Sequence, residues 1–202
     1  MKDFGFYLVI TNPVVGYARC AEAAVRAGVK IVQLRMKHAS RRISSRVARE
    51  MRRVTQGTET LFIVNDDPAL AAEAEADGVH VGQDDMPPAE VRAKFPQLKV
   101  VGLSTHNLDQ VRASWDQPID YIGVGPVYAT PTKDIPDPTL GPEMAGRMIA
   151  AARVPAVAIG GINAETLPPV LAAGARNFAV VRAVCQSPDP YSAICKLVEI
   201  HA

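Results

Sequence analysis

The feature that most constrains the fold of this chain is the alternation of eight short apolar runs with helical stretches. The runs cover residues 6–11, 30–34, 61–64, 78–81, 99–103, 121–125, 156–159 and 177–181. Most are continuously apolar, which is typical of strands covered on both faces in a parallel sheet. Helical patterns lie between them, at residues 17–27, 43–54, 68–75, 88–94 and 164–173. The alternation predicts an α/β fold, a single-domain (β/α)8 TIM barrel.

Length and charge narrow the class of protein further. We expect all 202 residues to form one barrel domain, since no linker or second composition zone interrupts them. The net charge of +1 gives no whole-molecule field for nucleic acid, and neither a membrane-length apolar run nor a signal-peptide pattern is present. Three scattered cysteines suit small packing residues in a reducing cytoplasm. The expected partners are therefore small molecules.

Two aspartates follow neighbouring predicted strands, Asp66 after the third and Asp85 after the fourth. In a barrel, side chains just past the strand ends converge on one mouth. Two carboxylates there would suit Mg²⁺, which accepts oxygen ligands and keeps positions open for water and phosphate. The alternatives are a helix cap for Asp66 or Asp67, ahead of Pro68, and a turn role for Asp84 or Asp85. The matched strand ends favour the metal site.

Gln33, Arg35 and Lys37 recur with period two at the end of the second strand, which predicts that all three face the barrel interior. Two inward cations are costly unless an anion neutralises them. A phosphate ligand meets this need, and an internal salt bridge to Asp66 or Glu73 is the alternative.

The longest irregular stretch, residues 125–138, follows the sixth strand. Long loops in compact domains tend to be lids or binding loops. Thr130, Thr132 and Lys133 supply hydroxyl groups and an amine that can bond phosphate or carboxylate oxygens. Alternatively, the prolines of this loop only stiffen an exposed segment.

A second phosphate site is predicted where the seventh and eighth strands end. Gly160 and Gly161 open a helix after the seventh strand, and exposed N–H groups at such a start bind phosphate in many barrels. Val181 and Arg182 end the eighth strand and bring a guanidinium group to the same place.

Ser104 and His106 end the fifth strand without a Gly-x-Ser-x-Gly motif, so a hydrolase triad is not expected. His106 either packs against the next helix or carries protons. His80 lies midway along the fourth strand, and we expect it to be a hydrogen-bonded core histidine.

Taken in chain order, these segments resemble the thiamine phosphate synthase family over nearly the whole length. The matching segments are residues 33–37, 65–66, 82–85, 104–106, 125–133 and 159–163. The resemblance implies a barrel enzyme that joins 4-amino-2-methyl-5-(diphosphooxymethyl)pyrimidine to a thiazole ethyl phosphate or its carboxylated form. It also implies a dissociative, magnesium-assisted loss of diphosphate, with thiamine phosphate as product.

Residue roles carried over from the family fall into three groups. The resemblance implies that the pyrimidine diphosphate is held by Gln33, Arg35, Lys37, Asn65, Ser104 and Lys133. Within that group it implies catalytic roles for Arg35, Lys37, Ser104 and Lys133. It implies that Mg²⁺ is bound by Asp66 and Asp85. It implies that the thiazole phosphate is received by Thr130, Thr132, Gly161, Val181 and Arg182.

One departure from the family pattern is Arg182, where a serine is usual. A guanidinium group there can strengthen phosphate binding, crowd the thiazole site or point outward. Two other functions remain open, a related thiazole tautomerase and a non-catalytic barrel that binds thiazole phosphate. Neither alternative needs a metal pair and a diphosphate clamp. The synthase is therefore favoured by the complete set of Asp66, Asp85, Arg35, Lys37 and Lys133.

Overall fold

The computed structural model describes residues 3–132 and 138–201 and contains a closed barrel of eight parallel strands in chain order. The strands are β1 (Phe6–Ile10), β2 (Ile31–Leu34), β3 (Leu61–Asn65), β4 (Gly78–Val81), β5 (Val100–Thr105), β6 (Tyr121–Val124), β7 (Ala156–Ile159) and β8 (Asn177–Val180). The pairing of β1 with β8, Phe6 opposite Phe178, closes the ring. The predicted (β/α)8 fold is confirmed.

Helices follow the strands and form the outer layer. They are α1 (Tyr17–Arg26), α2 (Arg41–Thr55), α3 (Pro68–Glu73), α4 (Pro88–Lys94), α5 (Leu108–Ala113), α6 (Gly141–Ala151), α7 (Leu167–Ala172), α8 (Arg182–Cys185) and α9 (Pro190–His201), with a 3-10 turn at Ser114–Asp116. None of these helices within residues 3–132 and 138–201 combines the length and apolarity needed to cross a membrane.

Helix starts explain which of the aspartates are used for capping. The Asp67 carboxylate accepts a hydrogen bond from the Leu70 N–H at 2.7 Å, and Pro68 occupies the first turn of α3. The capping alternative therefore holds for Asp67 and leaves the Asp66 carboxylate available for another role.

The core has two layers separated by the strands. Between the barrel and the helices lies a large apolar layer that includes Leu8, Phe62 and Met148. A smaller cluster fills the barrel interior with side chains of opposite strand parity, namely Tyr7, Val9, Ile31, Ile63, Val100, Tyr121, Val157 and Ala179. This inner cluster forms the floor on which the residues at the mouth rest.

Candidate active site

A cavity of about 480 Å³ opens at the mouth of the barrel, where the carboxyl ends of the strands converge. Its wall includes the predicted site residues Gln33, Arg35, Asn65, Ser104, Thr130, Thr132, Gly161, Val181 and Arg182. An adjoining cleft, lined by Asn12, Tyr17, Arg35, Lys37, Thr132, Arg182 and their neighbours, continues outward from the cavity. The structure thus gathers side chains from the ends of most strands into one place.

The period-two prediction for β2 holds for Gln33 and Arg35, which both line the cavity. Gln33 is only 3% exposed, and its Nε2 donates to the Tyr7 hydroxyl at 2.7 Å. Lys37 lies farther out, in the adjoining cleft, where its Nζ is 2.5 Å from Asp66 Oδ2. The salt-bridge alternative is therefore observed for Lys37, with Asp66 as its partner. Glu73 pairs instead with Arg41, at 2.8 Å.

Asp66 and Asp85 are brought together, as their strand positions predicted. The two carboxyl groups are within hydrogen-bonding reach of each other at the rim, close to Lys37. Asp66 has φ 62°, a left-handed conformation that is uncommon outside glycine. Its N–H donates to the His80 carbonyl at 2.8 Å, so β4 holds this conformation in place.

The environment of Asp85 raises the pKa of its carboxyl group. Burial is the main cause, and the neighbouring Asp66 carboxylate adds to it, while the Gly82 N–H and Lys37 oppose it. The Gly82 N–H donates to Asp85 Oδ2 at 2.7 Å and fixes the orientation of the group. Two carboxylates held together against their repulsion would gain from a shared cation.

The donor set at this rim fits Mg²⁺. Within the described part of the chain, no three or more His, Cys, Asp or Glu side chains are grouped as a metal site. Mg²⁺ needs fewer protein ligands than that, because it commonly binds one or two carboxylates and completes its shell with water and substrate phosphate. Asp66 and Asp85 match this pattern.

The segments after β6 and β7 pack closely on the opposite side of the cavity. Gly160 and Gly161 have φ 107° and 64°, and a Cβ on Gly161 would lie 2.7 Å from the Tyr128 Cβ. Nearby, the Thr130 and Thr132 hydroxyl groups are 2.9 Å apart. Glycine is needed at position 161 both for its conformation and for this contact.

The predicted helix start at Gly160–Gly161 is wrong, because α7 begins only at Leu167. Between them lies a turn in which Asn163 Oδ1 accepts hydrogen bonds from the Glu165 and Thr166 N–H groups. Arg182 is the first residue of α8 and lines both the cavity and the adjoining cleft. Lys133 lies outside the described residues.

A row of polar groups crosses the base of the cavity, and we call it the floor network. It consists of Gln33, Tyr7, Tyr121, His80 and Ser104. The Tyr7 and Tyr121 hydroxyl groups are 2.9 Å apart, and His80 bonds Tyr121 through Nδ1 and Ser104 Oγ through Nε2, both at 2.9 Å. Burial raises the pKa of both tyrosines.

Sequence reasoning found only the two ends of the floor network, Gln33 and Ser104. His80 is hydrogen-bonded, as predicted, but it lines the cavity instead of being enclosed in the core. The sequence did contain a signal for a group inside the barrel, namely Gly102 within β5 and Gly123 within β6. Glycine within a strand often marks a close approach by another group, and both face His80.

His106 also lines the cavity. Its ring Nδ1 is 2.6 Å from the Gly125 carbonyl oxygen, and its backbone N–H donates to Gln110 Oε1 at 2.7 Å. These contacts anchor the end of β5 to the start of the loop after β6. They favour the packing interpretation of His106.

Known proteins resemble this chain in sequence. A family model described as thiamine monophosphate synthase matches residues 6–184. The thiamine-phosphate synthase of Archaeoglobus fulgidus is 36% identical over 99% of this chain and 95% of its own. That of Synechococcus sp. (strain WH7803) is 44% identical over 89% of this chain but only 50% of its own, so the chain spans about half the length of that relative.

A solved structure described as thiamine phosphate pyrophosphorylase from Pyrococcus furiosus is also similar. It superimposes with a TM-score of 0.89 at 28% identity, and the match covers 98% of this chain and 96% of that one. The likeness extends over the whole barrel.

Proposed function

Because this chain belongs to the thiamine monophosphate synthase family, we propose that it joins an aminopyrimidine diphosphate to a thiazole phosphate, releasing diphosphate. The observation that carries the proposal is the rim of the cavity, where the paired Asp66 and Asp85 carboxylates lie beside Lys37. Carboxylates for a divalent cation beside cations for phosphate oxygens are the groups that a magnesium diphosphate requires.

On this proposal the pyrimidine diphosphate lies between β2, β3 and β5. Gln33, Asn65 and Ser104 would bind it from the inner wall, and Arg35 and Lys37 would contact the diphosphate. Lys133 is assigned to the same group by its position in the sequence. Positive charge placed before the reaction at the oxygens of the leaving group stabilises the charge that develops there.

Asp66 and Asp85 are the residues that would hold Mg²⁺. When bound, the ion would supply Lewis-acid stabilisation of the departing diphosphate. The chain contributes the fixed position of the two carboxylates, through the Gly82 hydrogen bond to Asp85 and the left-handed conformation of Asp66.

The thiazole phosphate would occupy the side formed by the loops after β6, β7 and β8. The groups proposed to receive it are Thr130, Thr132, Gly161, Val181 and Arg182. Hydroxyl groups, a glycine backbone and a guanidinium group together offer the donors that a phosphate monoester accepts.

The cavity itself would protect the reaction from water. Val9, Val157, Ile159 and Ala179 contribute apolar wall around the polar groups. A cation formed by loss of diphosphate would react with water if it were exposed, so exclusion of water and close placement of the two substrates are the main tasks of the protein. A protein nucleophile is not required for this substitution.

Product formation from the two substrates tests the proposal directly. The purified chain is incubated with the pyrimidine diphosphate and thiazole phosphate, with Mg²⁺ and then with EDTA, and thiamine phosphate and diphosphate are quantified. We expect both products in equal amounts with Mg²⁺ and their loss with EDTA. Binding of thiazole phosphate without any product would overturn the synthase in favour of a binding protein, and interconversion of thiazole forms alone would favour a tautomerase.

A further inference from the structure

The floor network is continuous and crosses the barrel through five strands. Gln33 lies on β2, Tyr7 on β1, Tyr121 on β6, His80 on β4 and Ser104 on β5. Its four hydrogen bonds have lengths of 2.7, 2.9, 2.9 and 2.9 Å. Gln33, Tyr7 and Tyr121 are 3%, 2% and 0% exposed, so water has little access to these donors and acceptors.

The strands around the network leave room for it. A Cβ on Gly102 would lie 2.2 Å from Tyr121 Cζ and 2.5 Å from His80 Nδ1. A Cβ on Gly123 would be 3.4 Å from His80 Cε1, which is an ordinary contact. The barrel therefore accommodates the His80–Tyr121 pair by omitting a side chain at Gly102.

One direction of donation satisfies every hydrogen bond of the network. Gln33 Nε2 can only donate, so the Tyr7 oxygen accepts from it. Each hydroxyl has an acceptor when Tyr7 donates to the Tyr121 oxygen and Tyr121 donates to His80 Nδ1. A neutral imidazole that accepts at Nδ1 carries its proton on Nε2, which is the atom facing Ser104 Oγ.

The opposite direction leaves a buried donor without its acceptor in the network. If His80 Nδ1 carried the proton, Tyr121 would donate to Tyr7, whose oxygen already accepts from Gln33. The proton of Tyr7 would then lack a partner among these five residues. A buried donor without an acceptor loses its hydrogen bond to water and gains none in return, so the first direction is favoured.

We propose that Tyr7 and Tyr121 are positioning residues that fix His80 as the Nε2–H tautomer and so leave the Ser104 hydroxyl to donate into the cavity. In this tautomer His80 Nε2–H donates to Ser104 Oγ, so the Ser104 hydroxyl donates elsewhere, toward the cavity that Ser104 lines. The use of that donor by the pyrimidine diphosphate rests on the proposed function. The tautomer itself does not.

The surroundings keep the two tyrosines of the network uncharged. Its two tyrosines belong to the inner cluster, which also contains Ile31 and Val100. Burial raises the pKa of Tyr7 and of Tyr121, so both hydroxyl groups keep their protons near neutral pH. A neutral network can hold a fixed direction, whereas an ionised tyrosine would reverse it.

Nitrogen-15 NMR of histidine-labelled protein measures the tautomer without any substrate. Comparison with His80→Gln identifies the signals of His80 among those of the four histidines. We expect the ring of His80 to carry its proton on Nε2, with Nδ1 accepting a hydrogen bond. If His80→Gln fails to fold, through-bond correlation of each ring to its assigned backbone signals identifies His80 in the wild-type protein. A wild-type protein with the proton on Nδ1 of His80 would overturn the proposal.

Tyr121→Phe removes the donor to Nδ1 and keeps the ring. We expect the Nδ1 resonance to move to the position of a nitrogen without a hydrogen bond, and the Nδ1–H form to become populated. The matched control is Tyr128→Phe, since the Tyr128 hydroxyl donates to the Thr166 carbonyl at 3.1 Å, outside the network. The His80 resonances should not change in the control, and an unchanged Nδ1 resonance in Tyr121→Phe would contradict the network.

Kinetics separate positioning from simple structural support. Loss of one neutral hydrogen bond corresponds to a factor of about three to ten, which we expect in kcat of Tyr121→Phe. The KM for the pyrimidine diphosphate should stay within about twofold, because the binding groups remain. Wild-type kcat in this variant would overturn the positioning role. If wild-type protein has the Nε2–H tautomer but makes no thiamine phosphate, the proposed function fails and the assignment of the tautomer survives.

Discussion

At the scale of single residues, the backbone of Asp66 points to function. A non-glycine residue in the left-handed region costs of order 1–3 kcal/mol, and such strain is kept where surrounding contacts enforce it. Here the strained residue carries a carboxylate that meets Asp85 and Lys37 at the rim of the cavity. The strain and the meeting of like charges at one point both support a site for a cation.

Asp85→Asn should weaken Mg²⁺ binding and turnover while the barrel stays folded. The amide keeps the shape of the side chain and removes the charge, and changes even in the outer shell of a metal commonly cost about 10- to 100-fold in affinity. We expect at least a tenfold loss, measured by Mg²⁺ titration in a calorimeter and by the assay. Asp84→Asn is the matched control, because it removes the same charge from the adjacent residue, whose side chain is exposed. Equal Mg²⁺ affinity in the two variants would refute the metal assignment.

Arg182→Ser tests the departure from the family pattern. Arg182 lines both the cavity and the adjoining cleft, where it can reach a phosphate from α8. A hydrogen bond to a charged group is worth about 1.5–3 kcal/mol, and exposure reduces this, so we expect the KM for thiazole phosphate to rise about three- to tenfold.

The matched control for this variant is Arg176→Ser. Arg176 is 82% exposed and pairs with Asp3 at 3.5 Å, away from the cavity wall. Its kinetic constants should stay at wild-type values, and the KM for the pyrimidine diphosphate should be similar in all three proteins. An unchanged thiazole constant in Arg182→Ser would mean that this side chain points away from the site.

At the scale of elements, what could be predicted from sequence follows the periodicity of the chain. Continuous apolar runs located all eight strands, and strand ends located Asp66, Asp85 and Arg35, because parallel strands deliver their ends to one mouth. The floor network was missed because it depends on which strands face each other across the barrel. Tyr7 and Tyr121 are 114 residues apart, and neither has a local pattern that distinguishes it from a core residue.

The loop after β7 was misjudged for a related reason. The pair Gly160–Gly161 predicted a helix start, yet these glycines serve a tertiary contact with the segment after β6. The turn made by Asn163 and Thr166 then delays α7 to Leu167. Side-chain hydrogen bonds to the backbone compete with helix formation, and this competition is difficult to weigh from sequence alone.

Gly161→Ala should lower the free energy of unfolding by more than backbone strain alone explains. Gly161 has φ 64° and Gly28 has φ 73°, but a Cβ on Gly28 meets no atom within 4 Å. Gly28→Ala therefore measures strain alone, about 1–2 kcal/mol. The contact with Tyr128 adds an overpacking cost of about 1–3 kcal/mol in Gly161→Ala.

Denaturant unfolding of the two variants gives this difference, and the assay gives its consequence. We expect Gly161→Ala to be the less stable protein and to raise the KM for thiazole phosphate, whereas Gly28→Ala keeps wild-type kinetics. Equal stabilities would show that the loop moves aside at no cost, and the close packing of the two segments would then not define the site.

At the scale of the whole molecule, the two ends of the barrel carry different tasks. The mouth holds the polar groups of the site, and the opposite end holds the contacts that tie the start of β8 to the segment before β1. Asn177 begins β8 at that end and is 1% exposed. Its Oδ1 accepts from the Phe4 and Gly5 N–H groups at 2.7 and 2.9 Å, and its Nδ2 donates to the Ala156 carbonyl at 3.2 Å.

Asn177→Ala should therefore lower stability without a comparable loss of turnover. It leaves two backbone N–H groups without their acceptor, at a cost of about 2–5 kcal/mol, which corresponds to a fall in Tm of about 5–15 °C for a chain of this size. Asn107→Ala is the control, because Asn107 caps α5 at an exposed site and its loss costs about 1 kcal/mol. At 25 °C we expect kcat of Asn177→Ala to stay within about threefold of wild type, since the end of a barrel opposite its mouth contributes to stability and not to the active site. A large fall in kcat with an unchanged Tm would mean that closure at β1 and β8 shapes the mouth directly, and that stability and chemistry are not divided between the two ends.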